Sequence, residues 1–289
     1  MRRSSSSVSA FLVAASCLVP VRADVVTIGA SKDNTLYESA TGARSNGAGE
    51  FFFTGRTFET TNALRRGVIA FDVASSIPAG STITNVTLTL SMTMTIAGAT
   101  PVGLHRMLRD WGEGASDATG PEGMGADAAP GDATWLHTFF SGQFWDTAGG
   151  DFALAPSATQ SVGATGFYSW TSAGMISDVQ VWLDSPSTNF GWLVLGKEDA
   201  FPTAKQFASR QHAEPLFRPA LLIEFTPPTP CAGDADNDGD TDSTDLNIVL
   251  TAFGCGTGSP EGACAGDIDG DGDTDSTDLN IILSDFGCE

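Results

Sequence analysis

The sequence predicts a mainly β fold, an antiparallel β-sandwich of jelly-roll type, followed by a small all-α domain of paired loop–helix units. Three observations predict it. Residues 24–226 alternate apolar and hydroxyl side chains between glycine-rich turns, the period-two pattern of half-buried strands. Residues 227–230, Pro-Pro-Thr-Pro, interrupt that pattern as a stiff linker. Residues 231–289 then change composition, with two apolar stripes of helical period set between aspartate runs.

In the first region the clearest strand is Val86–Ile96, whose one face is apolar and whose other is hydroxyl. Further strands are expected at 50–54, 67–73, 100–107, 191–196, 205–210 and 219–225. One helix is expected at 173–183, with Met175, Ile176, Val179, Trp182 and Leu183 on a single face. Many strands with glycine-rich turns over about 200 residues indicate an antiparallel sandwich of jelly-roll type.

The chain of 289 residues carries 35 acidic and 14 basic side chains, a formal net charge of −21. The acid is unevenly placed. Residues 231–289 hold 15 acidic residues and no Lys or Arg, whereas 24–230 hold 20 acidic and 11 basic ones. Nucleic acid and anionic membrane surfaces both demand Lys/Arg clusters, so neither is expected as a partner.

Residues 1–23 read as a secretory signal peptide. Arg2 and Arg3 form its positive start, Val8 to Val19 its apolar stretch, and Val21-Arg22-Ala23 its small-residue end. The apolar run is too short to span a bilayer. A lipid anchor at Cys17 lacks the leucine usual three residues earlier. Export to the periplasm, cell surface or medium is therefore expected. The cysteines that remain, at 231, 255, 264 and 288, are even in number and suit disulfides.

Those cysteines frame a repeat. The run Cys-Ala-Gly-Asp-x-Asp-x-Asp-Gly-Asp-Thr-Asp-Ser-Thr-Asp-Leu-Asn-Ile starts at Cys231 and again at Cys264. Asp234, Asp236, Asp238, Asp242 and Asp245 fall at positions 1, 3, 5, 9 and 12 of a calcium loop. Gly239 takes the turn at position 6, and Asp240 offers its carbonyl from position 7. The second loop, 267–278, repeats this with Asp267, Asp269, Asp271, Gly272, Asp273, Asp275 and Asp278. Hard oxygen ligands at this spacing suit two structural Ca²⁺ ions rather than zinc. Behind each loop an apolar stripe of helical period follows: Leu246, Val249, Leu250 and Phe253, then Leu279, Ile282, Leu283 and Phe286. Such short helices are expected to pack face to face.

No helix can precede the first loop, because prolines stand just before it. This loop–helix arrangement resembles the type I dockerin, a module that docks secreted polysaccharide-degrading proteins onto cohesin receptors. The resemblance covers essentially all of 231–289. It implies a cohesin-type or cell-surface partner, recognised in part by loop positions 10 and 11, here Ser243-Thr244 and Ser276-Thr277. Helix N-capping is the alternative role for these hydroxyls. Position 8, Thr241 and Thr274, departs from the larger aliphatic common in the family. Four cysteines allow three pairings. About ten helical residues, roughly 15 Å, separate each loop from its trailing cysteine. Antiparallel helices would therefore favour Cys231–Cys288 with Cys255–Cys264.

A second resemblance rests on Asp33-Asn34-Thr35-Leu36-Tyr37-Glu38, on Arg66-Gly67-Val68-Ile69-Ala70-Phe71-Asp72 and on Asp110-Trp111-Gly112-Glu113-Gly114. With Asn189-Phe190-Gly191-Trp192 and Arg218-Pro219-Ala220-Leu221, these are similar to the DNRLRE family of secreted β-sandwich modules. That resemblance spans about 24–226 and implies a non-catalytic, carbohydrate-binding role. Sugars stack on exposed aromatic rings. Trp111, Trp135, Trp145 and Trp170 sit in polar or glycine-rich sequence and are the expected ligand-binding residues, whereas Trp182 and Trp192 belong to apolar faces. The long segment 111–150 is the expected functional surface.

An enzyme, a glycoside hydrolase or polysaccharide lyase on the same sandwich, is the competing reading. Asp110 with Glu113, Asp33 with Glu38, or Glu198 with Asp199 could each serve as its acid and base. His105, His137 and His212 form no metal or nucleophile motif. A structural cell-surface protein is the third reading.

Overall fold

The computed structural model describes residues 23–256 and 264–288. The expected signal peptide lies outside them. The fold is mainly β, with an antiparallel, curled sheet and three α-helices. Its first strands are β1 (Asp24–Gly29), β2 (Lys32–Tyr37), β3 (Arg44–Ser45), β4 (Phe51–Arg56) and β5 (Leu64–Ala70). Then come β6 (Thr82–Thr95), β7 (Thr100–Arg106), β8 (Ala126–Asp127), β9 (His137–Phe139) and β10 (Gln143–Phe144). After β11 (Ala158–Val162) and β12 (Gly166–Trp170) the chain forms helix α1 (Ala173–Asp184). It returns to strand in β13 (Trp192–Gly196), β14 (Lys205–Ala208) and β15 (Ala220–Thr226). Two further helices, α2 (Ser243–Ala252) and α3 (Ser276–Asp285), lie in the acidic segment.

Pairing runs continuously from β1 through β15, β6, β14, β4, β5, β13 and β7 to β11, with β12 beside β6 and β2 beside β5. The corner is β4. Its residues Phe51–Thr54 pair with β14, and its last two, Gly55 and Arg56, pair with β5. The alternating faces of β6 explain its length: Val86, Leu88 and Leu90 are fully buried, while the threonines between them are not. Helix α1 is capped by Ser172, which accepts from the Met175 amide. It lays Met175, Val179, Trp182 and Leu183 into a core shared with β5, β6, β7, β13, β14 and β15. Trp182 and Trp192 meet there at 4.5 Å between ring centroids.

Strand β2, absent from the expected strands, carries the Asp33-Asn34 motif inside the sheet, paired to β5 from Lys32↔Ala70 to Tyr37↔Arg65. The apolar stripes of α2 and α3 are only partly buried. Val249 and Ile282 are wholly covered, but Leu250, Phe253, Leu283 and Phe286 remain about half exposed. Two ten-residue helices present too little surface to each other to cover whole stripes.

Candidate metal centres and the surface of the β region

Each aspartate-rich loop folds its carboxylates inward. Carboxylate oxygens of Asp234, Asp236 and Asp245 lie within 4.8 Å of one another, as do those of Asp240, Asp242 and Asp245. The second loop groups Asp267, Asp269 and Asp271, and again Asp273, Asp275 and Asp278. Gly239 and Gly272 make the sharp turns with φ of +103° and +98°, where a side chain would be strained. Asp238 places its amide on Asp234 and Asp236, and Gly239 donates to Asp234.

Position 12 is an anchor as well as a potential ligand. Asp245 accepts from the amides of Ala235 and Asp236 with one oxygen and from Asp242 with the other. Burial alone would raise its pKa, but those amide donors together outweigh it and hold the carboxyl below the usual range. Asp278 is held in the same way by Asp275, Ile268 and Asp269. Burial within the loop, then repulsion from neighbouring carboxylates, pushes Asp240 and Asp273 upward instead. Oδ1 of each is buried and has no hydrogen-bond partner among the described residues. These orphaned oxygens, in donor sets made only of carboxylates, fit a hard divalent cation of the calcium kind. At position 7 the residue thus contributes a buried side-chain oxygen, where the sequence pointed only to its carbonyl.

Asp242 and Asp275 cap α2 and α3, each completing a reciprocal box with Asp245 or Asp278. The capping role therefore belongs to these aspartates. Ser243, Thr244, Ser276 and Thr277 are exposed, and their hydroxyls make no hydrogen bond among the described residues.

The repeats interlock. Cys231 is bridged to Cys288, and Cys255 to Cys264. Gly233 lies so close to α3 that an added Cβ would stand 3.1 Å from the Ile282 Cα, and Gly266 meets the Val249 Cα of α2 at 2.7 Å. One contact breaks the symmetry. Asp285 accepts from the Gly233 amide at 2.8 Å and the Thr241 hydroxyl at 3.1 Å. Its counterpart one repeat earlier is Ala252, and the Thr274 hydroxyl is buried without a partner among the described residues. Ala252→Asp is expected to stabilise the C-terminal segment by about 1 kcal/mol, since it would satisfy that hydroxyl. Urea unfolding followed by helical circular dichroism measures it, and no gain would count against the pairing.

In the β region the four tryptophans expected to stack on sugar do not reach the surface. Trp111, Trp135, Trp145 and Trp170 are at most 9% exposed. Three donate their indole N–H to carbonyls, Trp111 to Phe190, Trp145 to Thr134 and Trp170 to Val102. Trp135 lies under the Arg66 guanidinium, 4.9 Å from its ring centroid. The segment 111–150 looks polar in sequence because its tryptophans are spaced without period. They nonetheless converge with Ala133, Leu36, Val68, Met107 and Leu193 into a second core. The expected stacking role of these four residues is withdrawn.

The Asp33-Asn34 motif ties this segment to the sheet. Asn34 accepts from Thr35, Ser45 and Asn46 and donates to the Glu113 carbonyl. Glu113 grips one edge of the Arg210 guanidinium, its two oxygens accepting from Nε and Nη2, and also accepts from the Asp33 amide and the Gln211 side chain. Asp33, 1% exposed, takes the Arg210 amide at 2.7 Å. Burial foremost, with the Glu113 charge adding to it, pushes its pKa up to about 8 against the opposing pull of Arg210. None of Asp33, Glu113 and Arg210 lines a described cavity. The carboxylates considered from sequence as acid–base pairs have partners of their own: Asp110 binds Lys32, Glu38 accepts from Leu64, Glu198 pairs with Arg66, and Asp199 pairs with Lys197.

What the surface does offer is a cleft of about 550 Å³ lined by Arg66, Leu108, Arg109, Asp146, Asp151 and Phe152, among others. Arg109 bridges Asp146 and Asp151, so donors and acceptors alternate along one wall. Part of its lining, Asp146 to Gly150, lies in the segment 111–150 expected as the functional surface; the rest comes from β5, the turn after β7 and residues 151–154, and no local spacing marks their convergence. Among the described residues no helix is long and apolar enough to cross a membrane. No protein-family model and no curated protein matches the chain.

Proposed function

We propose that this is an exported, non-catalytic carbohydrate-binding protein. Its β region, residues 24–226, acts as a β-sandwich of the DNRLRE type. A linker at 227–230 joins it to a calcium-folded, dockerin-like module at 231–289, which attaches it to a cohesin-type or cell-surface partner. The observation that carries the reading is the doubled loop, in which five aspartates of the first copy and six of the second converge, in register with the turn glycine and an inward, orphaned position-7 oxygen. Free hydroxyls at Ser243, Thr244, Ser276 and Thr277, beside half-exposed Leu250, Phe253, Leu283 and Phe286, supply a docking face. The calcium would be structural. Its ligands shape the ends of both helices, and none lines the cleft at Arg109.

For the sugar, the polar cleft at Arg109, Asp146 and Asp151 replaces the buried tryptophans, because paired charges and apolar walls can receive hydroxyls and C–H faces together. Equilibrium dialysis of the intact chain is expected to find two calcium ions per molecule, and zero would end the dockerin reading. Polysaccharide pull-down is expected to retain the chain and to lose at least tenfold on Arg109→Ala, roughly the cost of one good charged contact. Release of reducing sugar from any retained polysaccharide would replace the binding role with an enzymatic one.

A further inference from the structure

We propose that each disulfide sets the calcium affinity of the loop it borders, so that calcium binding and disulfide reduction oppose one another. The inference rests on the calcium reading above and adds to it a redox dependence.

Each loop is held at two points, and one cystine joins them. At the first loop's entry the Cys231 carbonyl accepts from the Asp234 amide, and Asp234 is the first ligand. At position 8 the Thr241 amide donates to the Cys288 carbonyl at 3.0 Å, while the Gly287 amide returns a bond to the Thr241 carbonyl at 2.8 Å. Cys231 and Cys288 are the bridged pair, so the disulfide spans the loop from its entry to its eighth position. The second loop repeats the plan. Asp267 donates to the Cys264 carbonyl, Thr274 to the Cys255 carbonyl at 2.9 Å, and Gly254 to the Thr274 carbonyl at 2.8 Å.

The residues that brace position 8 come in each case from the end of the other repeat's helix. They are therefore not positioned by the loop's own sequence. Covalent closure holds them there before any ion arrives, and so lowers the ordering cost that calcium must otherwise overcome. Both threonine side chains are fully buried beneath these bonds, which places the brace inside the folded unit rather than on its rim.

Reduction by an external dithiol would proceed by thiolate exchange. The reductant's two thiols supply two electrons and two protons. The Cys231–Cys288 or Cys255–Cys264 bond breaks to two thiols, and the reductant leaves as its own disulfide. Because coupling between two equilibria is reciprocal, calcium must protect the disulfides by the same factor that the disulfides raise calcium affinity.

The experiment uses the full chain. Calcium titration by calorimetry is compared for the oxidised protein, the protein after a dithiol, and the Cys231→Ser/Cys288→Ser and Cys255→Ser/Cys264→Ser pairs. Reduction is expected to weaken calcium binding on the order of tenfold, and each double substitution to weaken one of the two sites more than the other. In parallel, thiols released by a fixed dithiol buffer are counted with and without calcium. This second measurement needs no variant and is expected to show protection by calcium. Equal affinity in the oxidised and reduced chains, or thiol release indifferent to calcium, would overturn the proposal. Absence of calcium binding to the oxidised chain would remove the calcium reading and this proposal together, an outcome distinct from equal affinities.

Discussion

Excess EGTA is expected to abolish the helical circular dichroism contributed by α2 and α3 while the β region keeps its unfolding transition. The argument starts from charge. Each loop confines six aspartates, and carboxylates about 5 Å apart repel by on the order of 1 kcal/mol per pair even in water. With no Lys or Arg between residues 231 and 289, the segment supplies no positive side chain of its own to offset that repulsion, and a bound cation would. The helices cannot hold without it. Each has ten residues, below the length at which isolated helices persist, and their buried contact centres on Val249 and Ile282. The disulfides keep the chain connected but do not impose helix. Asp245→Ala should act more severely than Asp236→Ala, because Asp245 is buried and also anchors three amides. We expect the first to lower calcium affinity at that loop by tenfold or more, a loss of about 1.4 kcal/mol or greater. Helical signal unchanged by EGTA would refute the whole account.

The second large effect is a pH dependence of the β region centred on Asp33. Its folded-state pKa, about 8, lies above the unfolded value near 3.8. The folded state therefore binds the proton more tightly, and stability from this group is fully present below pH 3.8. It is lost progressively as pH rises from there through 8. Each pKa unit corresponds to about 1.4 kcal/mol, so the total reaches several kcal/mol, on the order of 10 °C in melting temperature for a unit this size. Melting of the calcium-loaded chain, followed by tryptophan fluorescence between pH 5 and 8, should fall with rising pH. Asp33→Asn keeps an oxygen for the Arg210 amide and removes the charge, so it should flatten the slope and raise the melting temperature at pH 8. An unchanged slope in that variant would place the titration elsewhere.

Much of the fold was legible because its signals are local. Strand β6 announces itself by unbroken alternation, α1 by a single apolar face, and the loops by aspartates in register with a turn glycine. The misreadings share one cause, which is long-range pairing. Asp33 and Asn34 fall outside the expected strands, and partners nearly 80 and 177 residues away give them a buried place in β2. Trp111, Trp135 and Trp145 lie among glycines and aspartates, and only the folding of 111–150 over β5 and β13 makes them core. For the same reason only the 146–150 side of the cleft at Arg109 falls in the surface the sequence marked. Conversely, the stripe from Leu246 to Phe253 predicts face-to-face packing, yet Leu250 and Phe253 stay half exposed, because periodicity reports a face without reporting how much surface will be available to cover it.

One feature of the sheet bears on how the molecule carries load. The chain leaves the β region from β15, the last strand, which is gripped on both edges: by β1 from Asp24↔Phe225 to Gly29↔Ala220, and by β6 along its whole length. Tension applied beyond Thr226 therefore enters a strand with two ladders in parallel rather than a free edge. Because β1 is also the first described strand, the two ends of this region sit side by side. A pull between them would peel β1 from β15 one bond at a time, whereas a pull between the β15 end and a ligand elsewhere would load many bonds at once. The region is thus expected to yield bond by bond between its own ends and to resist a pull that loads both β15 ladders together.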